Sequence, residues 1–157
     1  MKLLKCVPGR WLFQLTPREQ RLFAEVLGLY PVIPVGARRL STQSHGPSLE
    51  ESQHLLEEAL AEQRQAHRRR VAEFLSDPLT VHATKSYTRL TLAPPHVEWL
   101  LQVLNDVRVG SWIHLGSPDY EGERQLEVTE ENARHFWARE VACAFQSVLL
   151  AALAGEP

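Results

Sequence analysis

Asn105, Asp106 and Arg108 sit in the middle of an apolar stretch, Val97 to Gly116 (VEWLLQVLNDVRVGSWIHLG), and are the residues of this chain best placed to do chemistry. A carboxylate inside a helical core can serve as acid, base or ligand, and a guanidinium beside it can clamp an anion. Arg139, on the apolar segment near the chain's end, is the candidate fourth member of such a ligand site. A simpler reading makes the same residues a buried network, in which they satisfy one another or reach Arg134, Arg139 or Glu140. Leaving a buried polar group unpaired costs about 1–3 kcal/mol, so packing alone would demand such partners. Positions 105, 106 and 108 are spread around a helix and do not converge from one helix alone, which favours the structural reading.

Other constellations are weaker. His54 and Glu58 are four apart, as are His135 and Arg139, but there is no HExxH and no second ligand pair beside either. Zinc and iron sites need three or four convergent ligands, so no metal and no cofactor is expected. Ser41, Ser44 and Ser117 lack a nucleophile-elbow pattern, and no glycine-rich phosphate loop occurs. The run His67-Arg68-Arg69-Arg70 could grip a phosphate backbone or an acidic partner, but a solvated helix end facing the dipole accounts for it. Trp11, Trp99, Trp112 and Trp137 are spaced for core packing rather than for a stacking cleft.

These residues need elements to carry them. The 157 residues, 44% hydrophobic and 23% charged, suit one domain with one core spanning 1–157. A net charge of −2 gives no long-range field for nucleic acid or an anionic membrane. Two distant cysteines, Cys6 and Cys143, support neither a disulfide framework nor a thiolate zinc site. No signal-peptide pattern opens the chain, and the apolar run Val141 to Ala154 reads as too short to span a bilayer, so a cytoplasmic protein is expected.

Residues 3–15 read as a hairpin turning at Pro8-Gly9-Arg10. Thr16-Pro17-Arg18-Glu19 joins an N-cap, a first-turn proline and a capping-box glutamate, opening a helix that stops before Pro31. An irregular crossing, 30–47, follows. Ser48 and Glu51 make a second capping box for a helix ending near Ser76, ahead of Asp77-Pro78. Its glutamates precede its arginines, as the helix dipole prefers, and its polar middle predicts an outer position or a partner chain.

Residues 80–92 carry strand-like alternation, and here the chain repeats itself. WLFQLTPREQRLFAEVL and TRLTLAPPHVEWLLQVL align Leu15 with Leu92, Pro17 with Pro94, Leu22 with Trp99, Val26 with Val103 and Leu27 with Leu104. Two βα units whose strands share a sheet would explain it; the alternative is coincidence between two common strand-to-helix junctions. After Gly116 an acidic loop, mobile over 116–128, precedes a last helix beginning at Thr129 and Asn132 and reaching Ala154. Ala138, Ala142 and Gly110 are small enough to let helices approach closely. The tail VACAFQSVLLAALAG is apolar on more faces than a surface helix needs, so it is either the bundle centre or the seam of a two-fold homodimer.

The segment Val97 to Arg108, with Trp112, Gly116, Thr129-Glu130-Glu131 and the apolar last helix, resembles the bacterial domain of unknown function 2017 family. The hairpin and the Thr16-Pro17 helix are similar too, while the Tyr30–Pro47 crossing and the Pro118–Leu126 loop depart from it. The resemblance implies a mainly helical fold, carries no established activity and assigns no catalytic residue; members are often encoded near an adaptor of the Clp protease, which suggests a link to Clp-type regulated proteolysis. Together the residues and the resemblance predict a mainly α, four-helix orthogonal or bundle-like domain with a small antiparallel β element. The expected role is non-catalytic protein interaction, with a homodimer and a protein partner of unstated identity. The alternative is a small enzyme or ligand-binding protein using a pocket at Asn105, Asp106, Arg108 and Arg139.

Overall fold

The computed structural model describes residues 1–33, 47–117 and 127–155, with the backbone alone for 47–50. Among the described residues the elements are β1 (Lys2–Val7), β2 (Arg10–Leu15), α1 (Pro17–Gly28), α2 (Pro47–Ser76), β3 (Val81–Ala83), β4 (Thr88–Leu92), α3 (Pro94–His114) and α4 (Ala133–Ala154). The protein is mainly α, with one small antiparallel sheet in the order β1-β2-β4-β3.

The repeat is visible in space. β2 and β4 are antiparallel neighbours, with Trp11 opposite Leu92 and Leu15 opposite Thr88, and each runs into a helix that opens on proline. Period-2 alternation sends Phe13, Leu15, Leu90 and Leu92 inward, and all four are buried. β1 and β2 turn at Pro8-Gly9, where Gly9 takes φ +76°, a left-handed conformation glycine adopts without strain. α1 has its capping box: Glu19 N–H donates to Thr16 Oγ1 at 3.2 Å and Thr16 N–H donates to Glu19 Oε2 at 2.8 Å.

Two boundaries differ from the sequence reading. α2 starts at Pro47, one residue before the Ser48 capping box, because proline suits a first turn whose N–H groups have no helical acceptor. α4 starts at Ala133. Asn132 is its N-cap, as read from the sequence, and Thr129 closes a turn onto it, Thr129 N–H donating to Asn132 Oδ1 at 2.8 Å and Asn132 N–H to Thr129 Oγ1 at 3.4 Å. Local side-chain bonding of this kind competes with helix, which delays the helix start. The bulk of the 30–47 crossing (34–46) and of the 116–128 loop (118–126) lies outside the described residues.

α3 is the central helix, packing most extensively on α4. Leu100, Val103, Leu104 and Val107 are fully buried, and Ala138 and Ala142 of α4 are buried too. The small α4 residues therefore serve the contact within this chain. α4 runs eight residues further toward the N-terminus than the Val141–Ala154 run, and by length and composition alone it is long and apolar enough to cross a membrane.

Four aromatic rings tie the helices together. Phe23 of α1 meets Phe145 of α4 at 4.9 Å and Phe74 of α2 at 6.5 Å, and Phe74 meets Trp99 of α3 at 5.4 Å, all edge to face. Phe74 and Val71 are the buried apolar residues of α2 among the described residues. That helix is thus fastened at its C-terminal end.

Gly110 of α3 marks a close approach of backbone to helix. A Cβ there would lie 2.6 Å from Ile33 N and Val32 C, so the 32–33 backbone lies directly on the helix. Gly110→Ala should lower unfolding free energy by about 1–3 kcal/mol in a urea titration, because backbone rather than a flexible side chain must yield. Gly28→Ala meets nothing within 4 Å and should be neutral or raise stability by up to about 1 kcal/mol in the same titration.

Candidate functional site

The polar residues of α3 divide between two tasks. Asp106 Oδ1 accepts from Val32 N–H at 2.7 Å and from Ile33 N–H at 3.3 Å, holding the chain that leaves α1 against α3. Asp106 and Gly110 are four residues apart and so share one helix face. One supplies the acceptor and the other the room. Arg108 Nη2 donates to Asn105 Oδ1 at 2.8 Å, and these two are three apart on the same helix. Arg108 Nε is buried without a partner among the described residues. Arg139 pairs with Glu140 and lies 5.6 Å from the Phe136 ring on α4.

Asn105 and Asp106 also line a cleft of about 250 Å³ between α2 and α3. Its other walls are Tyr30 and Ile33 beyond α1, Leu60, Gln63, Arg64 and His67 on α2, and Gln102 on α3. Arg108 and Arg139 do not line it. The α2 residues come together because 60, 63, 64 and 67 follow helical spacing along one face, and 102, 105 and 106 do the same on α3.

Inside the cleft the Tyr30 hydroxyl and His67 Nδ1 are hydrogen-bonded at 3.3 Å, with their rings 5.8 Å apart. Burial pushes the Tyr30 phenol above its ordinary value, and the Asp106 carboxylate adds to the rise while Arg64 opposes it. Burial likewise pushes His67 down; Arg70 lowers it further and Asp106 counters. The pair is therefore a neutral phenol and a neutral imidazole at neutral pH. Arg64 makes no hydrogen bond or ion pair among the described residues.

The basic run on α2 splits by face. His67 turns to the cleft, and Arg70 lies 4.5 Å above the Trp99 ring and donates to Pro95 O at 3.4 Å. Arg68 and Arg69 are exposed. Among the histidines, His54 and Glu58 form an exposed contact at 3.7 Å, and His114 stacks on His135 at 4.4 Å. Burial, helped by His114 and Arg134, lowers His135. Among the described residues no three His, Cys, Asp or Glu side chains gather closely enough to hold a metal. The four tryptophans do not form one cleft: Trp99 is buried, Trp11 and Trp137 are half-buried and Trp112 is exposed.

Sequence reasoning missed Tyr30, Arg64, His67 and Gln102 as neighbours of Asp106. Tyr30 and His67 are 37 residues apart and the Asp106 contacts span more than 70. The available signal was the i, i+3, i+4 spacing of polar residues on α2 and α3. Comparison of the chain with family models, with curated proteins and with solved structures finds no match.

Two predictions follow from these contacts. Asp106→Ala removes the acceptor for two backbone N–H groups and should cost about 1–3 kcal/mol in a urea melt. His67 binds its proton less readily when folded, so below its unfolded value near 6.5 the unfolded chain holds more protons. Its contribution to stability is complete above that pH and is lost as pH falls toward the folded value. His67→Gln should flatten part of the decline in melting temperature between about pH 6.5 and 5, leaving the share of His135, which acts in the same direction.

Proposed function

We propose that this protein is a non-catalytic interaction module, a bundle-like cytoplasmic domain that forms a two-fold homodimer through the outer face of α4. The observation that carries this is the surface of that helix. From Val141 to Gly155 there is no charged residue on any face. Leu150 and Leu153 are 53% and 42% exposed, and Cys143, Ala144 and Ser147 are exposed beside them. Only 28% of the most apolar part of α4 is buried within the chain.

A second copy is the occupant that fits this face. A two-fold contact sets a patch against itself, so any charge on it would meet its like. A patch of small residues with two leucines and no charge avoids that penalty. Two apolar hollows flank it: one holds Leu22, Val141, Ala144 and Val148 with Glu19 and Glu140 at its edge, and the other holds Leu4 of β1, 44% exposed, beside Ala152. The family resemblance of the α3 segment supports a place in regulated proteolysis in a bacterium, with the dimer as the species that meets its partner.

The ligand-site reading of Asn105, Asp106, Arg108 and Arg139 has less support. Asp106 is engaged by backbone, Asn105 and Arg108 engage each other, and Arg139 pairs with its neighbour Glu140.

Sedimentation equilibrium at micromolar concentration should give a dimer. Leu150→Glu should weaken it about 100-fold or more, equivalent to roughly 3 kcal/mol, because two carboxylates would face each other at the seam. The melting temperature of the separated chain should change little, since Leu150 points outward. A monomer at every concentration, or recovery only with detergent or lipid vesicles, would overturn the proposal.

A further inference from the structure

The cleft between α2 and α3 holds two opposite charges that do not meet. Arg64 lines it from α2 and Asp106 from α3, and no ion pair joins them. Asp106 uses Oδ1 for the Val32 and Ile33 N–H groups, and no described residue bonds its Oδ2. Three primary amides, Gln63, Gln102 and Asn105, line the same cleft; each can donate, and the Asn105 oxygen already accepts from Arg108. Gln63 and Gln102 make no hydrogen bond among the described residues and are exposed at the mouth, whereas Leu60 and Ile33 give the cleft its apolar part.

We infer that this cleft binds a small zwitterion of the α-amino-acid class, with its carboxylate on Arg64 and its ammonium toward Asp106. A simple anion held by Arg64 would share a partly desolvated space with the Asp106 carboxylate. A simple amine held by Asp106 would meet Arg64 in the same way. Only a molecule carrying both charges is complementary to both walls, and like-charge juxtaposition is the stronger discriminator. Size points the same way: about 250 Å³ lies below the usual range for drug-sized ligands. The amides supply directional contacts for a polar side chain, and the Tyr30–His67 pair closes one wall without adding charge. This site is independent of the α4 face, and its failure would leave the homodimer untouched.

The test is a titration of the full, isotope-labelled chain with the common L-α-amino acids, one at a time. The side-chain amide resonances of Gln63, Gln102 and Asn105 report binding. At least one amino acid should shift them saturably, and acetate and methylammonium, each carrying one of the two charges, should bind about tenfold or more weakly. Arg64→Ala should weaken the amino acid by about tenfold or more, and Gln102→Ala, on the other wall, should weaken it as well. Arg68→Ala, exposed on the same helix, should leave it unchanged. No saturable shift with any amino acid overturns the inference. So does acetate binding as tightly as the amino acid, or equal losses in the Arg64 and Arg68 variants.

Discussion

The edge-to-face chain Phe145–Phe23–Phe74–Trp99 is the contact on which the arrangement of this protein depends. It takes one ring from each helix. For α1, α3 and α4 it adds to packing already supplied by many aliphatic residues. For α2 it is the principal attachment, with Val71 and Phe74 as the helix's buried apolar residues among those described and Arg70 stacked on Trp99 beside them. A 30-residue helix secured at one end and polar through its middle cannot close down on its neighbour. The polar cleft above the anchor is the geometric consequence: α2 stays near α3 at His67, through Tyr30, but has no apolar stripe with which to fill the gap further along.

The other constraint lies on α3. A helix apolar on nearly every side has no obvious reason to carry Asp106, and Gly110 at its interior is a poor helix former. Taken together the two residues make one device. Gly110 admits the 32–33 backbone to van der Waals contact, and an approaching backbone brings N–H groups that need an acceptor. Asp106, one turn away, provides it, and the two N–H groups in turn stabilise a carboxylate that is only partly exposed. The pairing also fixes Tyr30, just upstream, where it meets His67. A backbone contact on α3 thus sets one wall of the cleft.

Much of this was legible in the chain and some was not. The hairpin, the Thr16–Glu19 box and the βα repeat were readable because local chemistry dictates them: a Pro-Gly turn, a reciprocal cap, and two strands each ending in leucine ahead of a proline. The polar cluster of α3 was readable as groups in need of partners, but Asn105, Asp106 and Arg108 are half-buried rather than core, and their observed bonds reach none of Arg134, Arg139 and Glu140. Which partners was not readable. Val32 and Ile33 offer only backbone, and no side-chain pattern marks a residue whose N–H is the contact. His67 was hidden inside a run of arginines, although its spacing of three from Arg70 and from Arg64 separates it from exposed Arg68 and Arg69. Of the two residues read as opening α4, Asn132 is the N-cap and Thr129 belongs to the turn before it, because both favour a cap and a tight turn equally well and only the observed bonds distinguish them.

α4 shows how composition alone can mislead about burial. Its inner face mixes Ala138, Ala142 and Ala152, which let it approach α3 closely, with the buried Phe145 and Leu149, while Leu150 and Leu153 remain outside. A helix with one apolar face would carry polar or charged side chains at those outer positions. Close packing of the alanines adds dispersion to the area that Phe145 and Leu149 bury. The leucines outside contribute only their buried halves to the folded chain, and leaving the rest in water forgoes about 1–2 kcal/mol each in proportion to their exposed area. A helix whose apolar surface faces outward, free of charge along its last four turns, gains that free energy only when a matching surface covers it.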